Sequence, residues 1–483
     1  MKHIFSLLLF FTWADLRSQN LDSVAIATFS DAVANLANSE MLRHGSLAIQ
    51  IKDVKTKSKI FSLHQERSLP SASILKLVTT ASVMSVLGPQ YRFETKLSYT
   101  GTVRSDTLFG DIWIHGGGDP SLGSDRFADY PDQQGIFLRW AAAIKGKGIK
   151  HIKGNILVDT GFYDGLPQVE SWIWGDIGNA YGAGVFSLNI NENKFLAQFS
   201  PGSEVGDAVA FNGTKPSLPY MQFDNLLQTG ERGSGDQSIF YSSPLGNTVQ
   251  FTGTIPTGYR QFTVKGAIPN PPYFAQYGLK ETLELQGIGV DQQKLVLNGA
   301  GGSLDRYVSP PLQDLCRETN YWSINLYADS FLKLFGKQFA GKSDFESSTE
   351  LMRKYWTAKG ADMRGFGVKD GSGLSPSGFV TVQNMTEVLS AMYKDKAFES
   401  YYRGLAVMGQ SGTVRRYGKK TRAEGNVRAK SGSFEGTRSY AGYATTRSGQ
   451  LLSFAIIAHR YLPDTEKEIT KELVTLMELM ANF

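Results

Sequence analysis

The 483-residue sequence predicts an α+β fold, one domain of helices and strands into which β-rich domains are inserted. Three observations carry that expectation. A helix pattern and a hairpin pattern open the chain. Short strand patterns broken by glycine turns fill residues 96–264. Helical periodicity then returns, before three consecutive strands and a last helix close the chain. A chain this long exceeds one ordinary core, so two or three domains are expected.

Taken in order, "DSVAIATFSDAVANLANSEML" places apolar residues at helical spacing, and "SLAIQIKDV" alternates as a strand with "KSKIFSLH" as its hairpin partner. A second helix follows in "LPSASILKLVTT", with Ser71 and Ser73 near its start and Gly88-Pro89 at its end. "GDIWIHGGGDPSLGSD", "IKHIKGNILVDTG", "GVFSLNINENKF" and "NTVQFTGTIPTG" read as short strands between glycine turns. Helices return in "YFAQYGLKETLELQGI", "YWSINLYADSFLKLFG" and "QNMTEVLSAMYKD". "NVRAKSGSFEG", "RSYAGYATT" and "LLSFAIIAH" are the closing strands. The final "DTEKEITKELVTLMELM" is amphipathic, with Ile469, Leu473, Leu476, Met477 and Met480 on one face. Its mixed polar face suits covering a sheet better than lying on a membrane.

Composition narrows the class. Hydrophobic residues at 41% and charged residues at 20% describe a globular chain, and a net charge of +5 is small for this length. The one dense basic run, "VRRYGKKTRAEGNVRAK", reads as a solvated loop and strand rather than a nucleic-acid stripe. Cys316 is the only cysteine, which excludes an internal disulfide and leaves a buried apolar role beside Leu315. Residues 1–18 have a basic start, an apolar centre and a small-x-small exit, the pattern of a secretory signal peptide. No other stretch approaches a membrane span, so no transmembrane anchor is expected in the mature chain.

The chemistry begins at Ser73 and Lys76. Three residues apart on a helix, they share a face and can touch. A serine hydroxyl needs a base, and a lysine whose pKa is lowered by burial can serve. None of the six histidines is placed to do so, and no G-x-S-x-G elbow occurs. A serine near a helix start also has free backbone N–H groups beside it for an oxyanion. S-x-x-K alone is weak, and it recurs as Ser330 to Lys333 in mid-helix, where it reads as a helix face. Its company is informative: Ser323-Ile324-Asn325 and Lys430-Ser431-Gly432 follow in the order S-x-x-K, S-x-N, K-[ST]-G. A second S-x-N, Ser187-Leu188-Asn189, falls in a strand pattern inside the insertion and is set aside. Asp159-Thr160-Gly161 lacks a matching second carboxylate and reads as a strand-end turn.

With these blocks the chain resembles the D-alanyl-D-alanine carboxypeptidase/endopeptidases of the penicillin-binding protein 4 type, low-molecular-mass class C penicillin-binding proteins. "SASILKLVTTASVMSVLGPQYRFET", "SPPLQDLCRETNYWSINLYADSFLKLFG", "VKDGSGLSPSG" and "VRAKSGSFEGTRSYAGY" carry the resemblance, and "IHGGGDPSL" and "SLNINENKF" extend it through the insertion. It implies a serine β-lactamase/penicillin-binding transpeptidase-like catalytic domain, an antiparallel sheet flanked by helices, at residues 19–95 and 265–483. The inserted β-rich domains then span 96–264. It further implies Ser73 as nucleophile, Lys76 as base, Ser323 as proton relay, and Asn325 holding the substrate amide and the lysine. Lys430 and Ser431 would receive the terminal carboxylate, next to Gly432, and the N–H groups of Ser73 and Ser433 would form the oxyanion hole. Asp176 aligns with a carboxylate that binds the free amine of a diaminopimelate side chain. Serine at 431 departs from the family's more frequent threonine.

The implied partners are peptidoglycan stem peptides and cross-bridges, with β-lactams as covalent inhibitors. No cofactor, metal or nucleic acid is implied, and the location is periplasmic. Two alternatives compete: a serine β-lactamase or esterase of the same fold, and a catalytically silent peptidoglycan-binding scaffold. The first lacks an evident extra carboxylate base, and the second is opposed by intact Ser73, Lys76, Ser323, Asn325 and Lys430.

Overall fold

The computed structural model describes residues 21–294 and 301–483, so the expected signal peptide lies outside the described residues. A five-stranded antiparallel sheet organises the chain's two ends. Its order is Val427–Phe434, Thr437–Thr445, Leu451–His459, Ser46–Asp53 and Lys59–Leu63. Strand alternation divides its side chains between two cores. Ile49, Ile51, Phe454 and Ile456 face the helices Ser23–Ala37 and Glu466–Met480. Ala48, Ala455 and Ile457 face the helices on the other side. With both faces covered, "LLSFAIIAH" reads as a nearly unbroken apolar run.

The helix Leu75–Leu87 is buried at every residue from Leu75 to Met84, packed among Leu312–Trp322, Asn325–Ala340 and Val382–Met392. A helix enclosed on all sides must pair whatever polar groups it carries: the hydroxyls of Thr79, Thr80 and Ser82 donate to the carbonyls of Gly371, Lys76 and Val78, each at 2.7 Å. Gly88 ends it at φ +80, with its N–H on the Met84 carbonyl. The last helix buries Ile469, Leu473, Leu476, Met477 and Met480, so it covers the sheet as its pattern requires.

The insertion begins with Glu94–Tyr99, the second strand of a four-stranded sheet ordered Gly302–Val308, Glu94–Tyr99, Ile112–His115, Ile156–Asp159. Helices Gln133–Gly146 and Pro271–Leu285 pack beside it through Phe137, Trp140 and Phe274. A three-stranded sheet centres on Lys194–Ser200, and another four-stranded one on Thr248–Pro256. This corrects the expected return to the first domain at residue 265. Phe262–Ala267 pairs with Lys194–Ser200, and Gly302–Val308 pairs with Glu94–Tyr99, so the return comes after Val308. Helical periodicity at 271–285 belongs to the insertion's own core and marks no boundary. Nor is "VFSLNI" a strand: the chain there is irregular, and Asn191, Glu192 and Asn193 take left-handed φ values of 55, 53 and 49 before the strand starts at Lys194.

Candidate active site

Ser73 sits in the short 3-10 turn Ala72–Ile74 that leads into the helix Leu75–Leu87. Ala72 before it is held at φ 46, a strained conformation for a residue with a Cβ, of the kind found where surrounding structure over-determines a functional turn. Lys76 follows one turn later, fully buried. Its Nζ donates to Ser73 Oγ at 2.8 Å, to Asn325 Oδ1 at 2.6 Å and to the Ser372 carbonyl at 2.7 Å. None of these three acceptors is a carboxylate. Burial lowers the Lys76 pKa from 10.5 to about 8, opposed by the charges of Asp329 and Asp370. A lysine so placed holds its proton loosely enough to act as a base.

The third acceptor is built by local turn chemistry. Asp370 accepts from Gly373 N–H at 2.7 Å, Ser375 N–H at 2.7 Å and Trp172 Nε1 at 2.8 Å, folding "DGSGLS" into a tight loop. Gly373, at φ +78, passes so close to the Ala72 carbonyl that a Cβ would lie 1.9 Å from its oxygen. Only glycine brings the Ser372 carbonyl onto Lys76 along this path.

Ser323 and Asn325 lie at a joint between two helices. Ser323 is the left-handed cap of Leu312–Trp322, at φ 62, and Asn325 begins Asn325–Ala340. The joint points both side chains into the cleft. Asn325 also donates through Nδ2 to the Tyr181 carbonyl at 2.8 Å, which fixes its amide orientation from the insertion side.

Val427–Phe434 is the edge strand of the five-stranded sheet. Ala429 N–H donates to Ala406 O and Met408 N–H to Val427 O, so odd-numbered residues turn their backbone outward. By the same period, the N–H groups of Ser431 and Ser433 face away from the sheet. Lys430 is buried, and its Nζ donates to Ser323 Oγ at 2.9 Å and to the Ser431 carbonyl at 2.6 Å. Burial, with the neighbouring charge of Lys76, pushes its pKa well down. Gly432 is where strand and helix start meet: a Cβ there would stand 2.8 Å from Ser73 N and 2.4 Å from Ser439 Oγ. Ser439 Oγ donates to the Ser71 carbonyl at 2.9 Å and ties the same junction.

These groups border a cleft of about 690 Å³ lined by Ser73, Ser323, Asn325, Ser433 and, from the insertion, Asp176 and Tyr181. Asp176 accepts from Tyr181 O–H at 3.1 Å, and partial burial raises its pKa, with that hydrogen bond opposing. The segment carrying it is anchored to the helical unit. Tyr163 O–H donates to the Ser330 carbonyl at 3.1 Å, Ser171 Oγ lies 2.6 Å from Ser375 Oγ, and Trp172 reaches Asp370.

All nine residues singled out from the sequence thus lie at or beside one cleft. The other matches do structural work. Ser330 and Lys333 lie on a buried face of the helix Asn325–Ala340. Lys333 Nζ donates to the carbonyls of Asp164, Ser343 and Leu166 at 2.8, 3.0 and 3.3 Å. Ser187 Oγ donates to Thr160 O, and Asn189 holds Phe186 and Asn193, so this pair braces a loop. Sequence reading missed the carbonyls of Ser372 and Tyr181, since backbone acceptors leave no residue-type signal. It also missed Asp329 and Asp370, although "VKDGSGLSPSG" was conspicuous.

A further contact was not legible. His115 Nε2 lies 2.8 Å from Ser98 Oγ and its Nδ1 lies 3.2 Å from Asp159 Oδ2. Ser98 lies within the strand Glu94–Tyr99, paired with Trp113 on one side and Ser303 on the other, without a helix start to receive an oxyanion. That geometry lacks what acyl transfer requires.

Comparison with known proteins gives a consistent result. Residues 29–479 match the D-Ala-D-Ala carboxypeptidase 3 (S13) family. A D-alanyl-D-alanine carboxypeptidase of an Actinomadura species is 25% identical over 428 residues, covering 85% of this chain and 77% of that one. The D-alanyl-D-alanine carboxypeptidase DacB of Haemophilus influenzae is 23% identical over 444 residues, covering 91% and 90%. The crystal structure of penicillin binding protein 4 from Haemophilus influenzae superposes with a TM-score of 0.79 at 22% identity, over 94% of this chain and 99% of that one. The likeness in structure shows a shared fold.

Proposed function

The chain belongs to the D-Ala-D-Ala carboxypeptidase 3 (S13) family, and from that premise we propose that Ser73 is its nucleophile and Lys76 its general base. The protein is a serine-type D-Ala-D-Ala carboxypeptidase of the penicillin-binding kind. The observation that carries the residue assignment is the 2.8 Å contact between Lys76 Nζ and Ser73 Oγ, with the lysine pKa lowered to about 8.

Ser73 Oγ attacks the carbonyl carbon of the penultimate D-alanine, and its proton passes to neutral Lys76. Negative charge develops on the carbonyl oxygen, where the N–H groups of Ser73 and Ser433 can donate. Collapse breaks the C–N bond, and the departing amine takes the Ser323 hydroxyl proton, which the Lys76 ammonium replaces, so that Lys76 is neutral again; Lys430, 2.9 Å from Ser323 Oγ, orients that hydroxyl. Lys430 and Ser431 receive the terminal carboxylate. Water then attacks the acyl ester, giving its proton to Lys76, and the peptide leaves with Ser73 restored. Asn325 holds the lysine through Oδ1 at 2.6 Å.

Peptidoglycan stem peptides are the proposed substrates. Removal of terminal D-alanine and cleavage of a D-alanyl cross-bridge share one mechanism, since both cut after a D-alanine. The free amine of a diaminopimelate side chain is assigned to Asp176, whose half-buried carboxylate lines the same cleft. The apolar run near the N-terminus supports export to the periplasm, and among the described residues no helix is long and apolar enough to cross a membrane.

The test is intact-mass measurement after incubation with benzylpenicillin, followed by peptide mapping. A lasting adduct on Ser73, absent in Ser73→Ala, is the expected result. Rapid loss of drug without an adduct would point to a β-lactamase, and neither adduct nor turnover to a silent scaffold.

A further inference from the structure

Ser431 carries an unbranched side chain, so its hydroxyl has three staggered positions to choose from. In the folded protein one is selected: Ser431 Oγ donates to Thr413 Oγ1 at 2.7 Å. Thr413 lies in the short turn Gly412–Val414, on the loop before the edge strand. That turn is wedged between the strand Val427–Phe434 and the end of the helix Leu312–Trp322. Gly412 makes the wedge possible. At φ +59 it takes a left-handed conformation, and a Cβ would stand 2.6 Å from Ala406 Cβ and 3.0 Å from the Tyr321 carbonyl. Ser411 closes the loop behind it, accepting from Val407 N–H at 2.9 Å and donating its own N–H to Val407 O at 2.9 Å. The backbone of Thr413 is thus fixed by its own turn, where the segment bearing Ser323 meets the strand bearing Lys430 and Ser431.

We propose that Thr413 is a positioning residue for recognition of the substrate's terminal carboxylate, holding the Ser431 hydroxyl in the rotamer that receives it. The inference rests on the reading above, in which Lys430 and Ser431 bind that group. In the free protein Ser431 gives its hydrogen to Thr413. A carboxylate only accepts, so on binding the Ser431 O–H turns to it while the Thr413 O–H turns to donate to Ser431 Oγ. Both hydroxyls stay paired throughout, and no covalent bond changes. Without Thr413 the substrate itself has to order the serine, which weakens binding by the cost of fixing a rotamer. A threonine at 431 would need less help, because a γ-methyl group restricts χ1 from within the residue.

The test compares two rates for the purified protein: kcat/KM on a peptide ending in D-Ala-D-Ala, and the second-order rate of Ser73 labelling by a fluorophosphonate, which has no carboxylate. Wild type, Thr413→Val, Ser431→Thr and the double variant are measured together. Thr413→Val is expected to lower the peptide rate about tenfold, the loss of one hydrogen bond with its ordering effect, and to leave the labelling rate unchanged. Adding Ser431→Thr to Thr413→Val is expected to restore most of the peptide rate. An unchanged peptide rate in Thr413→Val overturns the proposal, as does an equal fall in both rates or a loss that Ser431→Thr does not restore. A wild type that neither cleaves the peptide nor takes the label at Ser73 overturns the reading beneath, and this proposal with it.

Discussion

Lys76 Nζ and Asn325 Oδ1 lie 2.6 Å apart although 249 positions separate the two residues. The contact joins the helix Leu75–Leu87, which follows Ser73, to the helix that begins at Asn325. Through the Tyr181 carbonyl on Asn325 Nδ2, it also joins both to the insertion.

Removing that amide should therefore disturb Lys76 directly. In Asn325→Ala, Lys76 loses an acceptor and the Tyr181 carbonyl loses its donor. Acylation of Ser73 by benzylpenicillin is expected to slow by about a hundredfold or more, the scale of losing a well-placed acid–base arrangement. A time course of adduct mass reads the rate, and thermal melting shows whether the fold is kept. A rate within threefold of wild type would remove Asn325 from the mechanism.

Acylation should rise with pH through about 8, as Lys76 loses its proton. Asp329→Asn is expected to move this limb to lower pH, since the Asp329 charge opposes the fall in the lysine pKa. A limb near 10 would show a lysine that burial does not perturb. The same variant has a stability signature. Burial and the neighbouring Asp370 charge push the Asp329 carboxyl above its usual range, with the Lys76 charge opposing, so the native state keeps a proton that the unfolded chain gives up. That contribution is fully present below the ordinary carboxylate value of 3.8 and is lost as pH rises toward the raised native value. Urea unfolding should show this decline in wild type and a flatter profile in Asp329→Asn.

The two S-x-x-K lysines should separate cleanly. Lys333→Met leaves the carbonyls of Asp164, Leu166 and Ser343 without their donor and is expected to cost about 2 kcal/mol of stability. Its rate of Ser73 acylation should stay within a few-fold of wild type. Lys76→Met should instead abolish acylation. Loss of acylation in a folded Lys333→Met protein would contradict the structural role.

Asp176→Asn tests the insertion's share in specificity. Its carboxylate faces the cleft with one hydrogen bond, from Tyr181. A stem peptide with a free side-chain amine should lose about tenfold in kcat/KM, and the same peptide with that amine acetylated should be unaffected, the difference being one charge-assisted contact. Equal effects on both peptides would leave Asp176 without a role in reading the amine.

Much of the site was legible because its chemistry is written in side chains at short spacing. Ser73 and Lys76 are one turn apart, and helix geometry alone lets them touch. Ser323 with Asn325, and Lys430 with Ser431, are equally local. The spacing within each block could be read, but not the distances between blocks. The misplaced boundary at 265 had a different cause. Pro271–Leu285 has the helical pattern of a core helix, and periodicity does not say which core receives it. Ser98, His115 and Asp159 meet only because three strands of one sheet align in register.

The sequence by itself determined the helix after Ser73, the strand pattern around Lys430 and the residue types that can carry acyl transfer, because each is written in the spacing of residues close together in the chain. Tertiary structure alone decided the surroundings of the two S-x-x-K pairs. Ser73 stands at a helix start, against Gly432 and its lowered-pKa lysine, whereas Ser330 lies within a helix whose Lys333 is satisfied by three carbonyls. The physical reason is that reactivity depends on burial, free backbone donors and distant partners, and these exist only once the chain has packed.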